Sequence, residues 1–104
     1  MMRYPDYSEE DAVQNVGPGW EPLIRRLYAA KPEDVEVHQV KEKFGGLRFY
    51  IGAAPQEYRD LVDAAENESY TLCATCGKPG TLDQTQWWVL TLCDEHKALR
   101  SVPS

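Results

Sequence analysis

Two pairs of metal-ligating residue types constrain this chain more than anything else in it. Cys73-x2-Cys76 is followed by sixteen residues and then by Cys93-x2-His96. Together they offer three thiolates and one imidazole, the donor set of a structural Cys3His zinc site. Three cysteines are also an odd number, which suits a disulfide framework badly. Gly77, directly after Cys76, lets the chain turn back so that backbone N–H groups can point at sulfur. The rival reading is a redox dithiol. It needs an accessible cysteine at the start of a helix, whereas Gly-Lys-Pro-Gly follows Cys76 and starts none. It would also leave Cys93 and His96 without a purpose. The expectation is one structural Zn2+ per chain, held by Cys73, Cys76, Cys93 and His96.

The segment between the pairs, GTLDQTQWWVLTL, suits a β-hairpin with Asp83 to Gln86 as its turn. On that reading Trp87 and Trp88 lie in a strand and face opposite ways, one into the core and the other toward another element or solvent. CDEHKALR then reads as a short helix starting at or near Cys93. Asp94 and Glu95 suit its N-terminus, and Lys97 and Arg100 its far end. Knuckle, hairpin and a helix carrying two ligands make a treble-clef arrangement; a zinc ribbon, with a second knuckle, is the alternative.

Upstream the pattern is α+β. Ser8 can cap a first short helix with Asp11 as the capping-box acid, and Gly17-Pro18-Gly19 stops it. Trp20, Leu23, Ile24, Leu27 and Tyr28 follow helical spacing, up to Lys31-Pro32. Residues 35–52, VEVHQVKEKFGGLRFYIG, read as a hairpin with Gly45-Gly46 as a type I′ turn. In that register Phe44 faces Leu47, Glu42 faces Phe49 and Val40 faces Ile51 on one side. Lys43 faces Arg48 and Lys41 faces Tyr50 on the other. Val35 and Val37 are out of phase with Val40, so a bulge is expected near His38-Gln39. Pro55 to Glu68 reads as a helix with Tyr58, Leu61, Val62 and Ala65 on one face and its acids on a solvated one. SVPS at the end reads as a frayed tail. The fold class is thus α+β, helix–hairpin–helix followed by a treble-clef-like or ribbon-like zinc module. With 104 residues the chain is read as one domain, residues 1–104. Its parts are an N-terminal segment (1–18), an α/β part (19–70) and the zinc module (71–100).

Net charge is −6 and unevenly spread: residues 41–54 carry three basic side chains against one acid, and residues 55–72 one against five. An acidic chain is a poor general binder of nucleic acid, whose phosphates call for a basic surface. It is better suited to a basic protein surface. The outer side of the first hairpin gathers Lys41, Lys43, Arg48 and Tyr50, which face either an acidic partner or the acidic helix of the same chain. Trp87 or Trp88, if exposed on the stapled hairpin, would suit a protein contact. Apart from the ligand His96, the only histidine is His38. No nucleophile–base pair or phosphate loop is legible, so the chain is read as a non-enzyme. The start, MMRYPDYSEED, lacks the apolar stretch of a secretory signal and no run approaches a membrane span, so the expected location is cytoplasmic.

VKEKFGGLRFYIG with CATCGKPG and TLCDEH resembles a group of small uncharacterised proteins of bacteria and their phages, over residues 19–98. In these a KEKFGGLRFY-like hairpin precedes a CxxCG…W…TLCxxH segment. The resemblance implies the same four zinc ligands and no known activity. Small acidic phage proteins that block host defence complexes suggest a protein-binding module, an inhibitor of a bacterial protein complex. The alternative is a nucleic-acid-binding regulator using Lys41, Lys43 and Arg48, and after it a metal-dependent hydrolase.

Overall fold

A computed structural model describes residues 7–85 and 87–101 of the chain. The N-terminal part is built of α1 (Glu9–Gln14), a 3₁₀ turn (Pro18–Trp20), α2 (Glu21–Ala30), β1 (Val37–Lys43), β2 (Gly46–Ile51) and α3 (Gln56–Ser69). After it come β3 (Thr81–Asp83), β4 (Leu90–Leu92) and α4 (Asp94–Ser101). The result is an α+β architecture with two separate two-stranded antiparallel sheets, β1–β2 and β3–β4. Residues 1–6 of the N-terminal segment, Gln86 of the expected second turn and residues 102–104 of the SVPS tail lie outside the described residues.

Local chemistry sets the helix ends. The Ser8 hydroxyl accepts from the Asp11 N–H at 3.1 Å, capping α1 as expected. Gly17-Pro18-Gly19 does more than stop that helix. It leads into the 3₁₀ turn that delivers Trp20, fully buried, to the head of α2. Trp20, Leu23, Ile24 and Leu27 then meet Val40, Leu47 and Phe49 of the hairpin and Tyr58, Val62 and Ala65 of α3 in one core. The Tyr28 ring stands edge-on to Phe49, centroids 5.7 Å apart. Leu61, expected on the buried face of α3, is 49% exposed, because the helix presents Tyr58, Val62, Ala65 and Ser69 inward instead.

The first hairpin forms with a different turn. Val40 pairs with Phe49, Lys41 with Arg48, Glu42 with Leu47 and Lys43 with Gly46, so the central residues are Phe44 and Gly45. Both have positive φ, 53° and 85°, as a type I′ turn requires. Relative to the expected register, every partner moves by two positions while each residue keeps its side of the sheet. Phe44 leaves the apolar face for the turn, Lys43 no longer opposes Arg48, and Lys41 no longer opposes Tyr50. Packing at Gly46 explains the choice: a Cβ there would lie 2.3 Å from Cζ of Tyr70, so Gly46 must sit under that ring as a strand residue. The expected bulge is present, the register shifting between Val37 and Gln39.

The outer edge of β2 is sealed by α3. The Leu47 N–H donates to Ser69 Oγ at 2.9 Å and the Phe49 N–H to Glu66 Oε2 at 2.8 Å. Alternate residues of a paired strand point their N–H groups outward, and here two of them end on side chains rather than on another strand. Glu66 is therefore not on a solvated face as expected: it is half-buried, and burial pushes its carboxyl up, against the Phe49 N–H and Arg48.

Gly46→Ala should destabilise the protein by about 1–3 kcal/mol through overpacking against Tyr70. Phe44→Asn should stabilise it by about 1 kcal/mol, since asparagine tolerates the left-handed region. Urea titration with the opposite order would refute the observed register. A second expectation concerns Tyr58, whose hydroxyl donates to Leu27 O at 2.7 Å and whose phenol burial pushes up to about 12. The unfolded phenol ionises near ~10, so the hydroxyl stabilises the fold fully below that pH and its contribution is lost as pH rises through the folded value. Tyr58→Phe should flatten the alkaline loss of stability in that window; parallel curves would contradict it.

Candidate metal centre

The four ligand candidates come from two local structures. Around Cys73 and Cys76 the chain forms a knuckle: the Gly77 N–H donates to Cys73 O, and the Cys73 N–H donates to Lys78 O, each at 2.8 Å. Gly77 has φ +81°, which is why glycine follows the second cysteine. Cys93 immediately precedes α4, and the Lys97 N–H closes the first helical turn on Cys93 O at 2.9 Å. Three residues on, His96 falls on the same side of that turn.

These elements bring Cys73, Cys76, Cys93 and His96 together, with ligand atoms all within 4.8 Å of one another. Cys76 Sγ and Cys93 Sγ are 3.7 Å apart, and His96 Nδ1 lies 3.5 Å from Cys73 Sγ and 3.1 Å from Cys93 Sγ. All three cysteines are free. The arrangement fits a bound metal ion. Burial pushes the Cys73 thiol up, but the backbone N–H groups of Cys93, Cys76 and Thr75 outweigh it and hold it near about 6. At Cys76 the Lys78 N–H pulls down, while lost solvation and the two neighbouring thiols raise it overall. The His96 N–H lowers Cys93, and the Cys93 thiol raises His96. Donors crowded this closely, with N–H groups directed at sulfur, favour a cation in place of protons.

The knuckle is seated on the rest of the protein. The Gly19 N–H donates to Ala74 O at 2.8 Å, and the Trp20 indole N–H to Leu72 O at 2.9 Å. The backbones approach so closely that a Cβ on Gly19 would lie 2.0 Å from Cys73 O, and one on Gly17 2.1 Å from Ala74 O. On the other side the Ala74 N–H donates to Thr91 O at 2.9 Å, and the Thr91 hydroxyl to Gly45 O at 2.7 Å. α4 is held to β3 by Arg100, which bonds the buried Asp83 carboxylate at 3.2 Å.

The expected basic patch is partly absorbed by the chain itself. Arg48 donates to Tyr70 Oη at 3.1 Å and to Leu47 O, and Glu66 of the acidic helix adds its field. The like-charge pair is Lys41 with Arg48, and the Lys41 ammonium lies over the Tyr50 ring, 5.7 Å from its centroid. Lys43 is carried to the turn, where it lies over Phe44.

Trp87 and Trp88 are not in a strand. They occupy the loop between β3 and β4, side by side with centroids 5.9 Å apart, and neither is core. Exposure is 92% at Trp87 and 55% at Trp88. With Val89 and the first turn, including Phe44 at 69% exposure, they line a groove of about 460 Å³. Glu42 forms part of it and accepts from the Trp88 indole N–H at 3.2 Å and from the Gly45 N–H at 2.7 Å. Sequence reasoning placed Phe44 and Glu42 on the apolar face of the sheet and so missed them. Local turn preference points the other way, to Gly45-Gly46, so no signal in the sequence marked the observed register.

Gly19→Ala should lower stability by about 1–3 kcal/mol and also weaken metal retention, because the atoms it would strike are the Cys73 carbonyl and the Gly77 amide. Competition with a chelating dye measures the second effect. An unchanged metal affinity in the variant would mean that the contact is packing alone.

Among the described residues no helix is long and apolar enough to cross a membrane. Comparison of the chain with protein-family models, with curated proteins and with solved structures finds no match.

Proposed function

We propose that the chain is a non-enzymatic protein-binding module, stapled by one structural zinc ion in a treble-clef-like segment, that presents the aromatic groove to a protein partner. The observation that carries this reading is the groove: three large aromatic side chains, Phe44, Trp87 and Trp88, stand exposed together where two separate turns meet. Exposed aromatic clusters on rigid supports are the usual anchors of protein interfaces.

Zinc is supported by the donor set and its spacing. With Zn–S near ~2.3 Å and Zn–N near ~2.0 Å, tetrahedral edges are about 3.8 Å between sulfurs and about 3.5 Å between sulfur and nitrogen. The observed 3.7 and 3.5 Å agree, and the Cys93–His96 edge is shorter at 3.1 Å. Four protein ligands suit a structural ion, which would tie the knuckle to α4 and contribute folding free energy. The treble-clef reading is supported by α4, which carries His96 in its first turn where a ribbon would have a second knuckle. Occluding the working surface of a bacterial protein complex, as an inhibitor does, is the action such a module suits. A nucleic-acid regulator finds less support, because Arg48 is committed to Tyr70 and the chain is acidic.

Elemental analysis should give one zinc per chain, and Cys76→Ser should lower both metal content and the unfolding midpoint. Trp87→Ala should abolish capture of a partner retained by the wild type while leaving melting unchanged, and Trp88→Ala should abolish it at some cost in stability, since its indole N–H bonds Glu42. Capture that survives both substitutions, or a bound metal with an exchangeable water, would sink the proposal.

A further inference from the structure

We infer that the aromatic groove receives an arginine side chain from a basic segment of the partner, its guanidinium stacked on the tryptophan pair with Glu42 as counter-charge. This rests on the reading of the groove as the partner surface and adds the chemistry of what enters it.

Four observations lead there. The Trp87 and Trp88 rings are tilted at 42° rather than stacked face to face, and both are exposed, so aromatic surface is open to a ligand. A planar cation is suited to such a surface, because aromatic faces are electron-rich and tryptophan is the strongest of them. Second, Glu42 is held at the groove by two hydrogen bonds, from the Trp88 indole and the Gly45 amide. Each carboxylate oxygen keeps a lone pair for a guanidinium N–H. Third, the groove's own cation, Lys43, lies with its ammonium over the neighbouring Phe44 ring, 5.7 Å from its centroid, and so does not take the tryptophan faces. Fourth, net charge is −6, so a basic segment is drawn toward this protein and an acidic one repelled.

The test is a titration of the full-length, zinc-loaded, ¹⁵N-labelled chain with short blocked peptides, followed through the indole N–H resonances. The probes are Gly-Arg-Gly, its citrulline isostere and Gly-Leu-Gly. Trp20, buried and bonded to Leu72 O, serves as an internal reference that stays still. The arginine peptide should move the Trp87 and Trp88 signals saturably, and citrulline should bind more weakly by about threefold to thirtyfold. Glu42→Gln should bring arginine down toward citrulline, and Trp87→Ala should remove the response. Equal responses to arginine and citrulline overturn the inference. Shifts with the leucine peptide alone overturn it too, while leaving the groove as an apolar partner surface. Shifts with protein concentration and no peptide replace it with self-association. If no probe moves either signal, this inference falls, while capture by the wild-type groove still decides the broader reading.

Discussion

The structure depends on a backbone-to-backbone fit between the Gly17-Pro18-Gly19 segment and the knuckle that carries Cys73 and Cys76. No side chain intervenes at Gly17 or Gly19: a single Cβ at either would lie about van der Waals overlap from a carbonyl oxygen, at 2.1 and 2.0 Å. Two hydrogen bonds, Gly19 to Ala74 and Trp20 to Leu72, convert that closeness into a defined position. Because Trp20 is also fully buried in the hydrophobic core, the candidate metal ligands and the core share one residue's environment. Order in one therefore supports order in the other, which matters for a chain whose C-terminal segment has only a small buried cluster of its own, Cys73, Leu92 and Cys93.

A similar economy governs the first hairpin. A two-stranded sheet has two open edges and invites pairing with other chains. On β2, Ser69 and Glu66 close that edge with side-chain acceptors, and on β1 the Tyr7 N–H reaches Val37 O at 2.9 Å. Among the described residues no buried side-chain nitrogen or oxygen lacks a partner. Against that background Phe44 is unusual: a bulky residue in the left-handed region, with its ring in solvent. Such conformations cost of order 1–2 kcal/mol and persist where surrounding structure imposes them. Here Gly46 under Tyr70 on one side and Glu42 bonding the Gly45 amide on the other impose it.

The consequence is a meeting of two turns. The first and second hairpins are joined there by the Thr91 hydroxyl of β4 on Gly45 O and by the Trp88 indole of the β3–β4 loop on Glu42 of β1. A Cβ on Gly45 would already touch Leu82 at 2.4 Å, so the two parts are in close contact there. The aromatic groove lies at this junction, and Thr91, whose carbonyl accepts from the Ala74 N–H of the knuckle, links it to the candidate metal centre.

Short-range chemistry was legible from the residues alone: the two x2 ligand pairs, the glycine behind the knuckle, the Ser8 cap and the bulge beside His38. Each depends on spacing or backbone preference over a few residues, so the order of residues determines it. The turn register was not legible, because local preference favours Gly45-Gly46 over Phe44-Gly45 at the two positive-φ positions, and Tyr70, twenty-four residues beyond Gly46, overrides that preference. Nor was the placement of Trp87 and Trp88. Their alternation with Val89 to Leu92 suits a strand, but β4 pairs over only three residues with β3 and leaves the tryptophans in the loop. Glu66 reads as helix surface, and Ser69 lies past the expected end of the helix at Glu68, until the open edge of β2 gives both a donor to accept. In each case the deciding atoms are distant in sequence and adjacent in space, so only the tertiary structure could make the choice.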